Sequence, residues 1–291
     1  MMTGDFMFAD PPFRGLLRDV KLDSVEAVLR CRGDHLAAWS RTSDTIRFAI
    51  KEADTTVFVK RYHYPRWRQR IRGMLRGTFF KQSRARSEFK ALAAMRRLGI
   101  NAVRPIAFGE RRILHFVRSC FLITESVPDA MSLVAFIQAF GERSASPHAR
   151  RARIEILTSL ARQVRHMHEM GFVHRDLFWR NVLIRPIPSD RFEFYFLDAS
   201  VGKRIRIAHR RQESIVHDIA ALGVLAPDFC SKSDQLRFLL EYLDTKSLRP
   251  QDRNWLRRVQ TRSSTFRDSE LLRLERGSVF DPPIRSVART T

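Results

Sequence analysis

Cysteine is scarce in this sequence: Cys31, Cys120 and Cys230 are the only three in 291 residues. An odd number at wide spacing fits neither a disulfide framework nor a zinc cluster, and a reducing cytoplasm is the simplest setting for it. Long apolar runs are missing as well. No stretch approaches the roughly 18 uninterrupted apolar residues of a membrane span. The opening MMTGDFMFADPPFRG has no basic stretch leading into a long apolar run, so no secretory signal is expected. Internal repeats are absent too. Acidic residues are in deficit, 31 against 53 Lys and Arg, a formal net charge of +22 that attracts polyanions such as anionic lipid, nucleic acid or phosphorylated sugar. Hydrophobic residues still make up 44% of the chain, enough to build a sizeable core, so global disorder is excluded.

The apolar pattern divides the chain. Residues 1–25 show no periodicity and contain Pro11 and Pro12, which predicts a poorly ordered lead-in. Residues 26–128 read as a small sheet-rich lobe. DTIRFAI and TTVFVKRYH flank a polar turn at Glu52 to Asp54, a hairpin signature. A helix over 83–98 follows and ends at Gly99, and two further strands are expected around Ile106–Gly109 and Cys120–Val127. From 129 to 276 the period turns helical. Ile154, Leu157, Leu160, Val164 and Met167 form a stripe, and short runs at 182–184 and 194–198 interrupt the helices as a hairpin. Residues 277–291 read as a frayed tail. The expected fold class is α+β and bilobal, an antiparallel-sheet lobe with one helix followed by a mainly helical lobe.

HRDLFWRN, His174 to Asn181, lies between the amphipathic helix and the short strand, hence on a connecting loop. It matches the kinase catalytic-loop pattern H-R-D-L-x-x-x-N at every fixed position. In that pattern Asp176 takes or orients the proton of an attacking hydroxyl and Asn181 ligates magnesium. Asp198 ends the next strand, where its carboxylate can bridge magnesium to the β- and γ-phosphates. Lys60 at a strand end and Glu88 at a helix start, 28 residues apart, suit a phosphate-binding ammonium and the carboxylate that fixes it. Asp218, in HDIAALG, is placed at a helix start, where it can brace the catalytic loop by accepting backbone N–H bonds. His174 is read as structural support beneath the loop.

Taken together, Lys60, Glu88, HRDLFWRN, FLDAS and HDIAALG resemble the eukaryotic-like kinase superfamily, and within it the bacterial lipopolysaccharide kinase family of the Kdo/WaaP type, over roughly residues 35–245. The basic run after Lys60, the segment SRARSEFKAL with GINAVRPIAFGE, and FLITESV carry that resemblance. It implies an enzyme with ATP and Mg2+ as cofactors that phosphorylates a sugar hydroxyl of the lipopolysaccharide inner core, Kdo or heptose, at the cytoplasmic face of the inner membrane. The chain departs from the superfamily in four places. No G-x-G-x-x-G loop is present, with Gly33 the only glycine near the expected place. Ala199 and Ser200 replace the usual Phe-Gly, and only 19 residues separate Asp198 from Asp218, leaving little room for a peptide platform. Phe178 stands where Ser/Thr kinases usually carry a lysine near the transferred phosphoryl group. Protein substrates are thereby disfavoured. The rival readings are another small-molecule or protein kinase of the superfamily, or a silent pseudokinase that binds polyanions or membrane.

Two basic clusters remain. Residues 61–86 hold nine Lys or Arg and no acid, interleaved with Trp67, Ile71, Met74, Leu75, Phe79 and Phe80, a composition suited to an anionic membrane surface. Such a peripheral, cytoplasmic-face association is the expectation, and nucleic acid is not an expected partner. Lys203, Arg204, Arg206, Arg210 and Arg211 follow Asp198 and suit an acidic acceptor.

Overall fold

The computed structural model describes residues 3–33, 35–39, 43–50, 55–64, 82–113, 116–141 and 147–276. The expected turn at 52–54, the basic-aromatic stretch from 65 to 81 and the tail 277–291 lie outside the described residues. The chain forms two compact units, residues 1–94 with 103–127, and residues 95–102 with 128–291.

The first unit is an antiparallel six-stranded sheet. Its strands are β1 (Thr3–Ala9), β2 (His35–Trp39), β3 (Ser43–Ile50), β4 (Thr55–His63), β5 (Pro105–Ile113) and β6 (Phe116–Glu125), in the order β1-β5-β6-β4-β3-β2. Alternation sorts β4 cleanly. Val57 and Val59 point into a core shared with Ile46, Phe121 and Ile123, while Lys60 and Tyr62 take the other face. On that other face lies α3 (Arg84–Arg97), whose N-terminus is capped by Ser83 Oγ accepting from Arg86 N at 3.2 Å.

Residues 3–25, the described part of the expected lead-in 1–25, are not loose. β1 pairs with β5 along its whole length, from Thr3↔Ile113 to Ala9↔Ala107, and α1 (Arg14–Asp19) and α2 (Val25–Arg30) follow it. Leu17, Leu22, Val25 and Val28 from this region are almost wholly buried against the sheet. Apolar burial and a full strand ladder fix the segment, although each piece is too short to show a period of its own.

The second unit carries α4 (Leu133–Gly141), α5 (Pro147–Glu169), α6 (Ala208–Gly223), α7 (Ala226–Phe229), α8 (Lys232–Leu243) and α9 (Pro250–Arg276). Short strands join them: β7 (Met131–Ser132), β8 (Phe172–Val173), β9 (Val182–Ile187), β10 (Arg191–Phe196) and β11 (Lys203–Arg204). β9 and β10 pair in the register Phe196↔Val182, and β8 pairs with β11. The buried face of α5 runs through Ile156, Leu160, Val164 and Met167, with Ile156 taking the place expected of Ile154. Residues 95–102, read from sequence with the first lobe, belong to this unit because Phe196 N donates to Asn101 O at 3.1 Å and Ala102 bridges Phe196. Gly99 adopts φ +72°, the left-handed turn that closes α3 and favours glycine.

Candidate active site

The loop HRDLFWRN is held from below by Asp218. Its Oδ2 accepts from His174 N at 2.7 Å and its Oδ1 from Arg175 N at 2.6 Å, and His168 Nε2 lies 3.3 Å from Oδ2. Asp218 is fully buried, and a buried carboxylate is tolerated only when its oxygens are paired in this way. The His168 tautomer with Nε2–H satisfies the set, because Nδ1 then accepts from Tyr242 O–H at 2.8 Å. Burial, and next the charge of Asp218, raise the Tyr242 pKa and keep its hydroxyl a donor. The sequence placed Asp218 at a helix start. It sits instead in the interior of α6, which begins ten residues earlier in a polar, basic stretch without an apolar stripe. Bracing comes from its side chain reaching out of the helix flank, not from a cap.

The bracing holds Arg175 at φ +64°, a left-handed conformation that is unfavourable for a residue with a Cβ. The chain turns sharply there and delivers Asp176. One oxygen of Asp176, Oδ2, accepts from Asn181 Nδ2 at 3.0 Å, and the other, Oδ1, accepts from Arg180 Nη2 at 3.0 Å. Asn181 Nδ2 also donates to Asp176 O at 2.8 Å, which leaves its Oδ1 as the atom suited to a cation. Leu197 N donates to Asn181 O at 3.1 Å, extending the β9–β10 ladder by one step, so Asn181 and Asp198 stand at the same end of that hairpin. His174, wholly buried, fixes this end from the other side with Nε2 3.0 Å from Leu197 O. Asp198 itself takes φ +55°, a second left-handed residue at the site. The structure therefore brings Asp176, Asn181, Asp198, His174 and Asp218 together.

In the first unit the expected pair is also formed. Lys60 Nζ lies 3.3 Å from Glu88 Oε1 and 3.5 Å from Oε2. Glu88 is 2% exposed, so the pair is partly shielded from solvent and its geometry counts for more than that of a surface ion pair. Tyr62 O–H donates to Glu88 Oε2 at 2.7 Å and orients the carboxylate. Gly33 is explained by packing: a Cβ there would lie 2.5 Å from Arg47 O, so the bare backbone is set by its closeness to β3.

Three participants escaped the sequence reading. Tyr62 shares its strand face with Lys60, and alternation alone was enough to find it. Arg180 sits in the variable part of the loop motif. Its Nη1 donates to Glu270 Oε2 at 2.5 Å, and its guanidinium lies 4.1 Å from the Phe178 ring centroid. Glu270, on α9, lies 90 residues away and no local pattern announces it. Phe178 is itself buried and meets Phe266 of α9 edge-on at 5.5 Å, so a packing role explains the departure from lysine. Of the basic run after Lys60, Arg61 is withdrawn from any lipid contact: its Nε donates to Asp44 Oδ2 at 2.7 Å and its Nη1 to Leu29 O and Cys31 O at 3.1 and 2.8 Å.

A sequence profile described as the lipopolysaccharide kinase (Kdo/WaaP) family matches residues 36–242. The chain belongs to this family. A lipopolysaccharide core heptose(I) kinase WaaP of Pseudomonas aeruginosa is 30% identical over 162 residues, covering 54% of this chain and 59% of that protein. A protein of the same description from Escherichia coli is 29% identical over 91 residues, 31% of this chain and 33% of its own length. The chain thus spans under two thirds of the curated relatives it matches. Among solved structures, "WaaP in complex with acyl carrier protein" aligns with TM-score 0.63 at 22% identity, over 89% of this chain and 98% of that one. The fold is accordingly protein-kinase-like, as the resemblance carried by HRDLFWRN, Lys60, Glu88 and Asp198 implied.

Proposed function

We propose that this chain is an ATP- and Mg2+-dependent phosphotransferase that phosphorylates a sugar hydroxyl, of Kdo or heptose, in the inner core of lipopolysaccharide. The observation that carries the reading is Asp176: a carboxylate held by Asn181 on one oxygen and Arg180 on the other, its side chain 29% exposed where an acceptor hydroxyl can reach it. Asp176 is the group that takes the hydroxyl proton. Arg180 and Asn181 fix its orientation, and buried Glu270 fixes Arg180. Magnesium suits the donors present. One carboxylate, on Asp198, and one amide oxygen, on Asn181, form the small oxygen set with which this ion binds while keeping waters and phosphate oxygens as its other ligands. Held there, such an ion would supply positive charge beside the β- and γ-phosphates. Lys60, fixed by Glu88 and Tyr62, is the residue for the α- and β-phosphates.

The reading includes association with the cytoplasmic face of the membrane, supported by the composition of residues 61–86. No helix among the described residues is long and apolar enough to cross a membrane. It also includes an acyl carrier protein as partner, the class named for the WaaP neighbour. Support comes from a cavity of about 490 Å³ in the second unit with apolar walls from Leu133, Ile156, Trp179, Leu222, Phe238 and Leu256, dimensions and chemistry suited to an acyl chain.

The test is transfer. Incubated with labelled ATP, Mg2+ and lipopolysaccharide, the protein should place label on an inner-core sugar. Label on protein or on a small metabolite alone favours another kinase of the superfamily. No turnover with any acceptor, beside tight salt-dependent polyanion binding, favours a silent binding module.

A further inference from the structure

The five cations that follow Asp198 are distinguished by what they do not touch. Arginines elsewhere in the second unit commonly meet a carboxylate: Arg162 meets Glu241, Arg180 meets Glu270 and Arg267 meets Asp228. Among the described residues, none of Lys203, Arg204, Arg206, Arg210 and Arg211 makes an ion pair. The next acid along the chain, Glu213, is engaged by Arg258 of α9. Solvated single arginines are common, but here two converge. At Gly171, φ +75°, the position a Cβ would occupy lies 3.7 Å from Arg204 Nε and 3.8 Å from Arg211 Nη1. Two guanidinium groups close to one point, with no carboxylate between them, repel each other until an anion enters.

The place of this pair in the fold says which anion matters. Ile205 N donates to Gly171 O at 2.9 Å, and β11 pairs with β8 as Lys203↔Val173 and Arg204↔Phe172. Arg204 is thereby locked onto the strand that runs directly into His174, and Arg211 reaches the same point from α6. Asp176 is the fifth residue after Gly171, so their backbones are at most roughly 18 Å apart, the extended reach of five residues. An anionic group a few bonds or one sugar ring away from the accepting hydroxyl falls within that distance.

We propose that Arg204 and Arg211, beside Gly171 and flanked by Lys203, Arg206 and Arg210, form an anion-docking site for a carboxylate or phosphate already present on the acceptor glycan. The site selects acidic acceptors and sets which hydroxyl meets Asp176. The planar guanidinium fork accepts either oxyanion in a bidentate manner. This assignment rests on the glycan-acceptor reading above, but its ligand is bound before chemistry and in the absence of nucleotide.

The experiment is titration of the full chain, without ATP, with deacylated lipopolysaccharide, in three forms: intact, with carboxylates reduced to alcohols, and with phosphates removed. Wild type should bind the intact form, and Arg204→Ala/Arg211→Ala should bind it about tenfold or more weakly. Whichever removal weakens wild-type binding to the same degree identifies the anion, and that removal should cost the double variant nothing further. Arg253→Ala/Arg273→Ala, two exposed arginines on α9, controls for lost charge and should bind as wild type does; thermal melting of each variant checks folding. Equal binding by wild type and Arg204→Ala/Arg211→Ala overturns the assignment. So does an equal loss against both the carboxylate-reduced and the dephosphorylated forms. Absence of wild-type binding to the intact form overturns it as well. Phosphoryl transfer on the same samples separates the two ideas: binding without transfer sinks the phosphotransferase reading and leaves the site standing, whereas full transfer and unchanged acceptor KM in the double variant remove the site alone.

Discussion

Asp218→Asn changes one atom's charge and one hydrogen-bond polarity at a place where neither is negotiable. The two oxygens of Asp218 accept from successive backbone N–H groups, His174 at 2.7 Å and Arg175 at 2.6 Å. An asparagine has one acceptor oxygen, so its NH2 must face one of those donors. Leaving a buried N–H without a partner costs about 1–3 kcal/mol, and the surviving bond loses its charge assistance, worth about 1 kcal/mol more. The total, about 2–4 kcal/mol, exceeds what holds one non-glycine residue in the left-handed region, so Arg175 should relax from φ +64° and carry Asp176 with it. Thermal unfolding should shift down by roughly 5–15 °C, from about 2–4 °C per kcal/mol for a unit of this size. Hydrogen exchange at the amides of His174 and Arg175 should accelerate, and phosphoryl transfer should fall with it. A variant that melts within about 1 °C of wild type and turns over normally would show that the loop does not depend on Asp218, and the reasoning fails.

Other expectations follow from the same contacts. Tyr62→Phe removes the O–H donor from Glu88 and should raise the KM for ATP about tenfold, the equivalent of one buried hydrogen bond to a charge, with turnover at saturation less affected; an unmoved KM removes Tyr62 from the nucleotide site. Glu270→Gln leaves Arg180 without its buried counter-charge and should lower turnover about tenfold; wild-type turnover would reduce that pair to a tether for α9. His217 packs 5.0 Å from the Phe266 ring, and burial, the largest cause, lowers its pKa from the ordinary 6.5. The unfolded chain then binds a proton that the folded chain refuses. Stability is therefore full above pH 6.5 and declines as pH falls from there toward the lowered folded value. His217→Gln should flatten that slope in urea titrations at pH 5 to 7, and an unchanged slope would assign it to other groups.

Much of this site was legible because its chemistry is local in sequence. HRDLFWRN sits on one loop, Asp198 follows a strand whose alternation is plain, and Lys60 ends a run of β-branched residues. What failed to show had physical reasons. β1 is an edge strand with Phe6 and Phe8 on one face and Met7 toward the core, apolar on both sides, so it lacks the alternation that marks a half-buried strand. α1 and α2 have six residues each, fewer than two turns, and cannot display a stripe. The start of α6 is AHRRQES, polar after its first residue, so its apolar pattern emerges only near Asp218 and misplaces the helix start. Arg180 with Glu270 joins residues 90 apart, and only tertiary packing brings them together.

The central claim, that Asp176 takes the proton from an acceptor hydroxyl beside a metal-bound triphosphate, is tested most directly by single-turnover transfer of labelled phosphoryl to lipopolysaccharide core by Asp176→Asn, measured with Mg-ATP saturating. Nucleotide binding should persist and the transfer rate should fall by about 10² to 10⁴-fold. Transfer at the wild-type rate would contradict the account.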